Sequence, residues 1–144
     1  MARHKSFKKN KEPVNIAGIV ITILFAVLLI GGIYYMFNLF KSVEINELNM
    51  AGEWKLQGSP TWFLTINSDG TASSYEQYTV GDIGNSASYH YTLEPNENGV
   101  MVLTLKNDKT KETEEIKITK VSHAEISIIR KGSIFENMTR VNIF

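Results

Sequence analysis

The chain has 144 residues, room for one ordinary domain and an appendage. Its zero net charge hides two unlike parts: residues 1–13 carry five Lys/Arg against one Glu, a net +4, and residues 41–144 carry ten Lys/Arg against fourteen Asp/Glu, a net −4. The absence of cysteine excludes a disulfide framework, a thiolate metal site, a cysteine nucleophile and a lipid-modified cysteine.

The first segment, residues 1–13, is a basic head containing "RHKSFKKNK". It is too short to fold, and nothing else in the chain supports nucleic-acid binding. Membrane topology alone accounts for its charge, and contact with anionic membrane lipid is the second account. Residues 16–37, "IAGIVITILFAVLLIGGIYYMF", then run for 22 positions without a charge. At about 1.5 Å per residue such a helix crosses the roughly 30 Å hydrocarbon core of a bilayer. A cleaved signal peptide has a shorter apolar core and a small-residue cleavage site. "YYMFNLFKSVE" offers no such site, so residues 14–40 are read as a transmembrane helix that stays. Positive charge before the helix places the N-terminus in the cytoplasm and the body outside. Gly18, Thr22 and Ala26 recur at i, i+4 and i+8, so one face carries small residues, as a close-packed transmembrane partner needs. The competing account is chance, since small residues are common in membrane helices.

Residues 41–51 read as a juxtamembrane linker or a single helical turn. From residue 52 the pattern alternates, with turn residues every eight to twelve positions. "GEWKLQG" is the first predicted strand and "TWFLTIN" the second, followed by the turn "NSDG". "TASSYEQYT" is the third, and "VGDIGNSA" after it reads as the longest loop of the body. "SYHYTLE", "VMVLTLK", "ETEEIKITKV", "EISIIRK" and "IFENMTRVNIF" complete eight strands with short connections. Sequential strands with short turns make an antiparallel meander the simplest topology. The expected class is all-β, a closed or nearly closed small barrel of about eight strands, with a two-sheet β-sandwich as the alternative.

Gly52-x-Trp54 on the first strand, then "INSDGT", then a meander of paired short strands resembles lipocalin-like domains over residues 52–143. Small versions occur in bacterial lipoproteins and anchored surface proteins. The resemblance implies that Gly52 and Trp54 close one barrel end, with Arg140 of "MTRV" lying over the indole. It also implies a bacterial plasma-membrane protein with one membrane pass and an extracytoplasmic β-domain at residues 52–144. This body is shorter than a typical lipocalin and lacks the C-terminal helix.

Enzyme motifs are not seen. "GDIGNSAS" lacks the lysine of a phosphate-binding loop, and there is no G-x-S-x-G elbow. His4, His90 and His123 have no spaced acid partners for a metal site. Glu112, Glu114 and Glu115 read as a solvated strand end, and Asp82 with Asn85 is too sparse for a calcium loop. No metal and no cofactor is expected. Asn137-Met138-Thr139 matches a glycosylation acceptor by chance inside a strand. The binding candidates are Trp62, Tyr75, Tyr89 and Tyr91, read as sharing one face of neighbouring strands, with the "TVGDIGNSAS" loop giving access. Core packing is the commoner use of such aromatics. The expected function is a non-catalytic, membrane-anchored binding module for a small apolar ligand, a peptide or an envelope component, as in self-protection. The alternative is an accessory subunit of a larger membrane complex.

Overall fold

The structure is a computed structural model that describes residues 16–79, 81–132 and 134–142. The basic head, with His4, lies outside the described residues. The chain divides into a unit that ends at Tyr35 and a second unit that begins at Met36.

Helix α1 runs from Ile16 to Phe40, 25 residues, none of them buried by the protein. It is long and apolar enough to cross a membrane. The Thr22 hydroxyl donates back to the Gly18 carbonyl at 2.9 Å, which satisfies a polar group on an otherwise apolar helix.

The second unit is an eight-stranded closed antiparallel barrel in simple sequential order. Its strands are β1 (Gly52–Leu56), β2 (Thr61–Ile66), β3 (Thr71–Thr79), β4 (Asp82–Pro95), β5 (Met101–Asn107), β6 (Thr113–Val121), β7 (Glu125–Arg130) and β8 (Ile134–Arg140). Closure is made by β1 pairing β8, with Trp54 opposite Arg140 and Leu56 opposite Met138. That pairing excludes the sandwich.

Alternation then sorts the side chains. Trp54, Leu64, Ile66, Leu103, Leu105, Ile116, Ile118, Ile126, Ile128 and Met138 point inward and are at most 2% exposed. A register shift in β6 between Ile118 and Lys120 keeps Val121 inward as well, opposite Ile126. Eight strands leave an interior just wide enough for such side chains to fill. The middle of the barrel is therefore packed core, and any ligand space must lie at an end.

The segment before β1 is not a free linker. Val43 pairs with Val121, its N–H donating at 2.8 Å, and Val43 and Ile45 pack on the core. Helix α2 (Glu47–Met50) is a single turn whose N-cap, Asn46, accepts from the Asn49 N–H at 2.9 Å. Met50 is 1% exposed and plugs the end of the barrel where the chain enters.

One expectation is corrected here. "VGDIGNSA" is not the longest loop. Apart from Val80, which lies outside the described residues, and the turn residue Gly81 at φ 88°, it is the first half of the 14-residue strand β4. Its small polar residues have weak strand propensity. They are held extended by β3, which pairs along them from Thr71 opposite His90 to Thr79 opposite Asp82.

Candidate functional site

The two barrel ends are built differently, and each holds one tryptophan under one arginine. At the chain-entry end, Trp54 is fully buried, and its indole N–H donates to the Met50 carbonyl at 2.7 Å. The Arg140 guanidinium lies 4.3 Å over the Trp54 ring and donates to the Ala51 carbonyl at 2.9 Å and the Asn49 carbonyl at 3.1 Å. Its charge has no carboxylate partner among the described residues, and burial pushes its pKa below the usual guanidinium value. Gly52 makes room for this stack: a Cβ there would stand 2.5 Å from Arg140 Nη1, and its φ is 137°. This end is sealed by direct contacts.

The opposite end is open. Trp62 at the start of β2 is only partly buried, and the Arg130 guanidinium, from the end of β7, lies 4.2 Å over its ring. The Arg130 Nε also donates to Glu114 Oε1 at 3.2 Å, and both groups are largely shielded, at 13% and 37% side-chain exposure. Beside them Tyr89 shares a hydrogen bond with the Ser74 hydroxyl at 3.1 Å. Glu76 is steadied by the Asn85 amide at 3.2 Å. Together with Glu136 these residues enclose a cleft of about 360 Å³, within the range of small-ligand sites. It offers an aromatic wall, a guanidinium and several acceptor oxygens.

Of the four aromatic candidates, the structure brings together Trp62 and Tyr89. Tyr91 points inward but sits towards the sealed end, 7% exposed, its hydroxyl donating to the Asn67 carbonyl at 2.6 Å. Burial, with the charges of Glu47 and Asp69, raises its pKa. Tyr75 does not share their face. Strand β3 turns the small residues Ala72 and Ser74 inward, so Tyr75 points out. There it stacks on Phe63, with centroids 4.6 Å apart and planes within 6°, and its hydroxyl donates to Glu53 Oε1 at 3.1 Å. Burial and that carboxylate raise its pKa.

Glu114 is not part of a solvated strand end. It stands two residues before the core residue Ile116 and shares its inward face. Arg130 two after Ile128, Glu136 two before Met138 and Glu76 two after Ser74 follow the same rule. That two-residue spacing from a core position was the signal for all four. His90 is an exposed outer residue bonded to Asp108 at 2.6 Å, and His123 lies in an exposed turn. Asp82 and Asn85 both lie on β4, and the Asn85 amide donates to Glu76 Oε2 at 3.2 Å. Among the described residues no three His, Cys, Asp or Glu are grouped to hold a metal. Gly18, Thr22 and Ala26 share one face of α1, in the other unit.

Comparison with protein-family models, with curated proteins and with solved structures gives no match. The architecture, a closed eight-stranded barrel behind one apolar helix, is compatible with a lipocalin-like domain on an anchor.

Proposed function

We propose that this protein is a non-catalytic, lipocalin-like binding module held in a bacterial plasma membrane by α1, with its N-terminus in the cytoplasm and its barrel outside. The observation that carries the reading is the contrast between the two barrel ends. Equivalent tryptophan–arginine stacks seal one end and leave the other as a cleft of about 360 Å³ around Trp62, Tyr89 and Arg130. A domain that needed only a core would gain by closing both ends. The partly exposed indole and the Arg130–Glu114 pair are groups that a bound molecule would cover. The packed interior leaves no room for a large apolar ligand deep inside, so the ligand is held at the rim.

The accessory-subunit reading draws on different residues. Ile83 and Phe135, near the same rim, are 65% and 75% exposed, and the Gly18, Thr22 and Ala26 face suits a helix partner.

The test is purification of the tagged full-length protein from native membranes in mild detergent, with mass spectrometry of what elutes. The wild type should carry a ligand that Trp62→Ala loses, while the barrel keeps its circular dichroism and cooperative unfolding. Equal recovery of the same molecule with the Trp62→Ala variant would refute the mouth as its site.

A further inference from the structure

Strand β4 is longer than its neighbour on one side. Its lower half pairs with β5 from Tyr89 opposite Asn107 to Pro95 opposite Met101. Its upper half, residues 82–88, pairs with β3 on one edge and with no strand on the other among the described residues. The last tie on that open edge is the Asp108 N–H donating to the Ser88 carbonyl at 2.9 Å. Beyond it the chain turns away through residues 108–112 into β6. The upper barrel wall is thus split between β4 and the β5–β6 turn.

Alternation shows which backbone groups face the split. The Tyr91 N–H donates to the Gly70 carbonyl on the β3 side, so Tyr89 and Ala87 also turn their backbone groups to β3. Ser88 and Ser86 turn theirs the other way, as the Ser88 bond to Asp108 confirms. The register shift lies beyond Ser86, which still pairs opposite Tyr75. Ser86 therefore presents its N–H and C=O to the split.

Sheet edges are ordinarily protected by lysine, proline, charge, shortness or bulges; two register shifts lie between Ser86 and Asp82, so the regular part of this edge is residues 86–88. This edge reads Asp82, Ile83, Gly84, Asn85, Ser86, Ala87, Ser88, with no lysine, no proline and its single charge at the far end. Against it lies a groove of about 690 Å³, lined by Ser73 and Tyr75 of β3, by Ser86 and Ser88 of β4, and by Asn107 and Lys109 at the β5–β6 turn. The Ser86 N–H and C=O, two residues from the Ser88 carbonyl that Asp108 already holds, are the complement of a polypeptide backbone. A strand laid there would send alternate side chains into the mouth. Of the mouth's charged groups, Glu114 is paired with Arg130, whereas Glu76, Glu136 and Lys131 have no ion-pair partner among the described residues, which leaves one carboxylate in excess.

The geometry points to a strand-addition site: the split between residues 82–88 and the β5–β6 turn takes an extended peptide segment, with basic side chains at alternate positions, as an added strand of the barrel wall. The inference rests on the reading of the mouth as a ligand site and names its ligand class. Backbone pairing supplies affinity, and the mouth selects every second side chain.

The probe is an acetylated nine-residue peptide of alternating Lys and Val, titrated into the full-length protein in detergent and read by tryptophan emission. Two further versions carry N-methyl groups, one on the Val and one on the Lys positions. The parent should bind saturably and slow amide exchange at Ser86 at least tenfold. At least one N-methylated version should lose tenfold or more in affinity, as should Ser86→Pro with the parent. The N-methyl comparison uses wild-type protein and so does not depend on that variant folding. Equal affinity for all three peptides, or no binding of the parent, overturns strand addition. If the probe fails while Trp62→Ala still loses the ligand co-purified from membranes, strand addition falls and the mouth reading stands. If Trp62→Ala keeps that ligand, both fall.

Discussion

Gly52→Ala should destabilise the barrel, and it should do so through Arg140. The new Cβ would stand 2.5 Å from Arg140 Nη1, about 1 Å inside the optimal separation of non-bonded heavy atoms. The guanidinium cannot yield freely, because carbonyls at 2.9 and 3.1 Å and the Trp54 ring at 4.3 Å hold it. Two effects add. Forcing alanine to a φ of 137° costs about 1–3 kcal/mol. Displacing Arg140 forfeits two charge-assisted hydrogen bonds and a stack, offset in part by rehydration of a partly buried cation, for a net of about 2–4 kcal/mol. Arg140→Ala alone should cost that second amount. In the Arg140→Ala background, Gly52→Ala should then cost only the backbone term. The double-mutant cycle should be non-additive by about 2 kcal/mol or more. Urea unfolding of the full-length protein in detergent, followed by tryptophan emission, measures it. Arg130→Ala, the equivalent change at the open end, is the control. It removes a stack on a partly exposed indole and an ion pair whose Glu114, 37% exposed, can rehydrate, and should cost about 1 kcal/mol or less. Additivity of the Gly52 and Arg140 changes within about 0.5 kcal/mol would refute the coupling. So would an Arg130→Ala loss as large as that of Arg140→Ala.

Tyr91→Phe removes the bond to the Asn67 carbonyl and should lower stability at pH 8 by about 1 kcal/mol. Because the fold raises the Tyr91 pKa above its unfolded value of 10.0, the phenol's contribution is intact below pH 10 and is lost as the pH rises through the folded value. The gap between wild type and variant should therefore narrow at pH 11, and a gap of constant size in urea unfolding at the two pH values would sink the account. For topology, protease added to intact cells should remove the barrel and spare the N-terminal head. Survival of the barrel in that assay would reverse the orientation inferred from the basic residues.

Much of the architecture was legible because it depends on local pattern. The uncharged run at residues 16–37 marks a membrane-length helix, and α1 covers it. Alternation in "TWFLTIN", "ITKV" and "ISII" marks the inward face, and Leu64, Ile118 and Ile128 occupy it. The mouth was harder to read. Trp62 and Tyr89 stand out as aromatics, whereas Glu76, Glu114, Arg130 and Glu136 look like ordinary surface charges until strand parity is carried past the last apolar residue. Tyr75 misleads for the converse reason. It is the largest residue in "ASSYE", yet small Ala72 and Ser74 take the interior, since the space opposite is filled by Leu64 and Tyr89.

Period-two alternation, the apolar run and the turn residues act over a few positions, so the sequence by itself determined the helix, the strands and their order. Closure was decided between residues almost ninety positions apart, where Trp54 meets Arg140 in register, and no local pattern encodes that contact. The same holds for the long β4. Glycine, asparagine and serine at positions 84–88 have little strand preference of their own and are extended because β3 pairs with them. Only the tertiary structure could show that this strand outruns β5, and so leaves the edge on which the proposed peptide site rests.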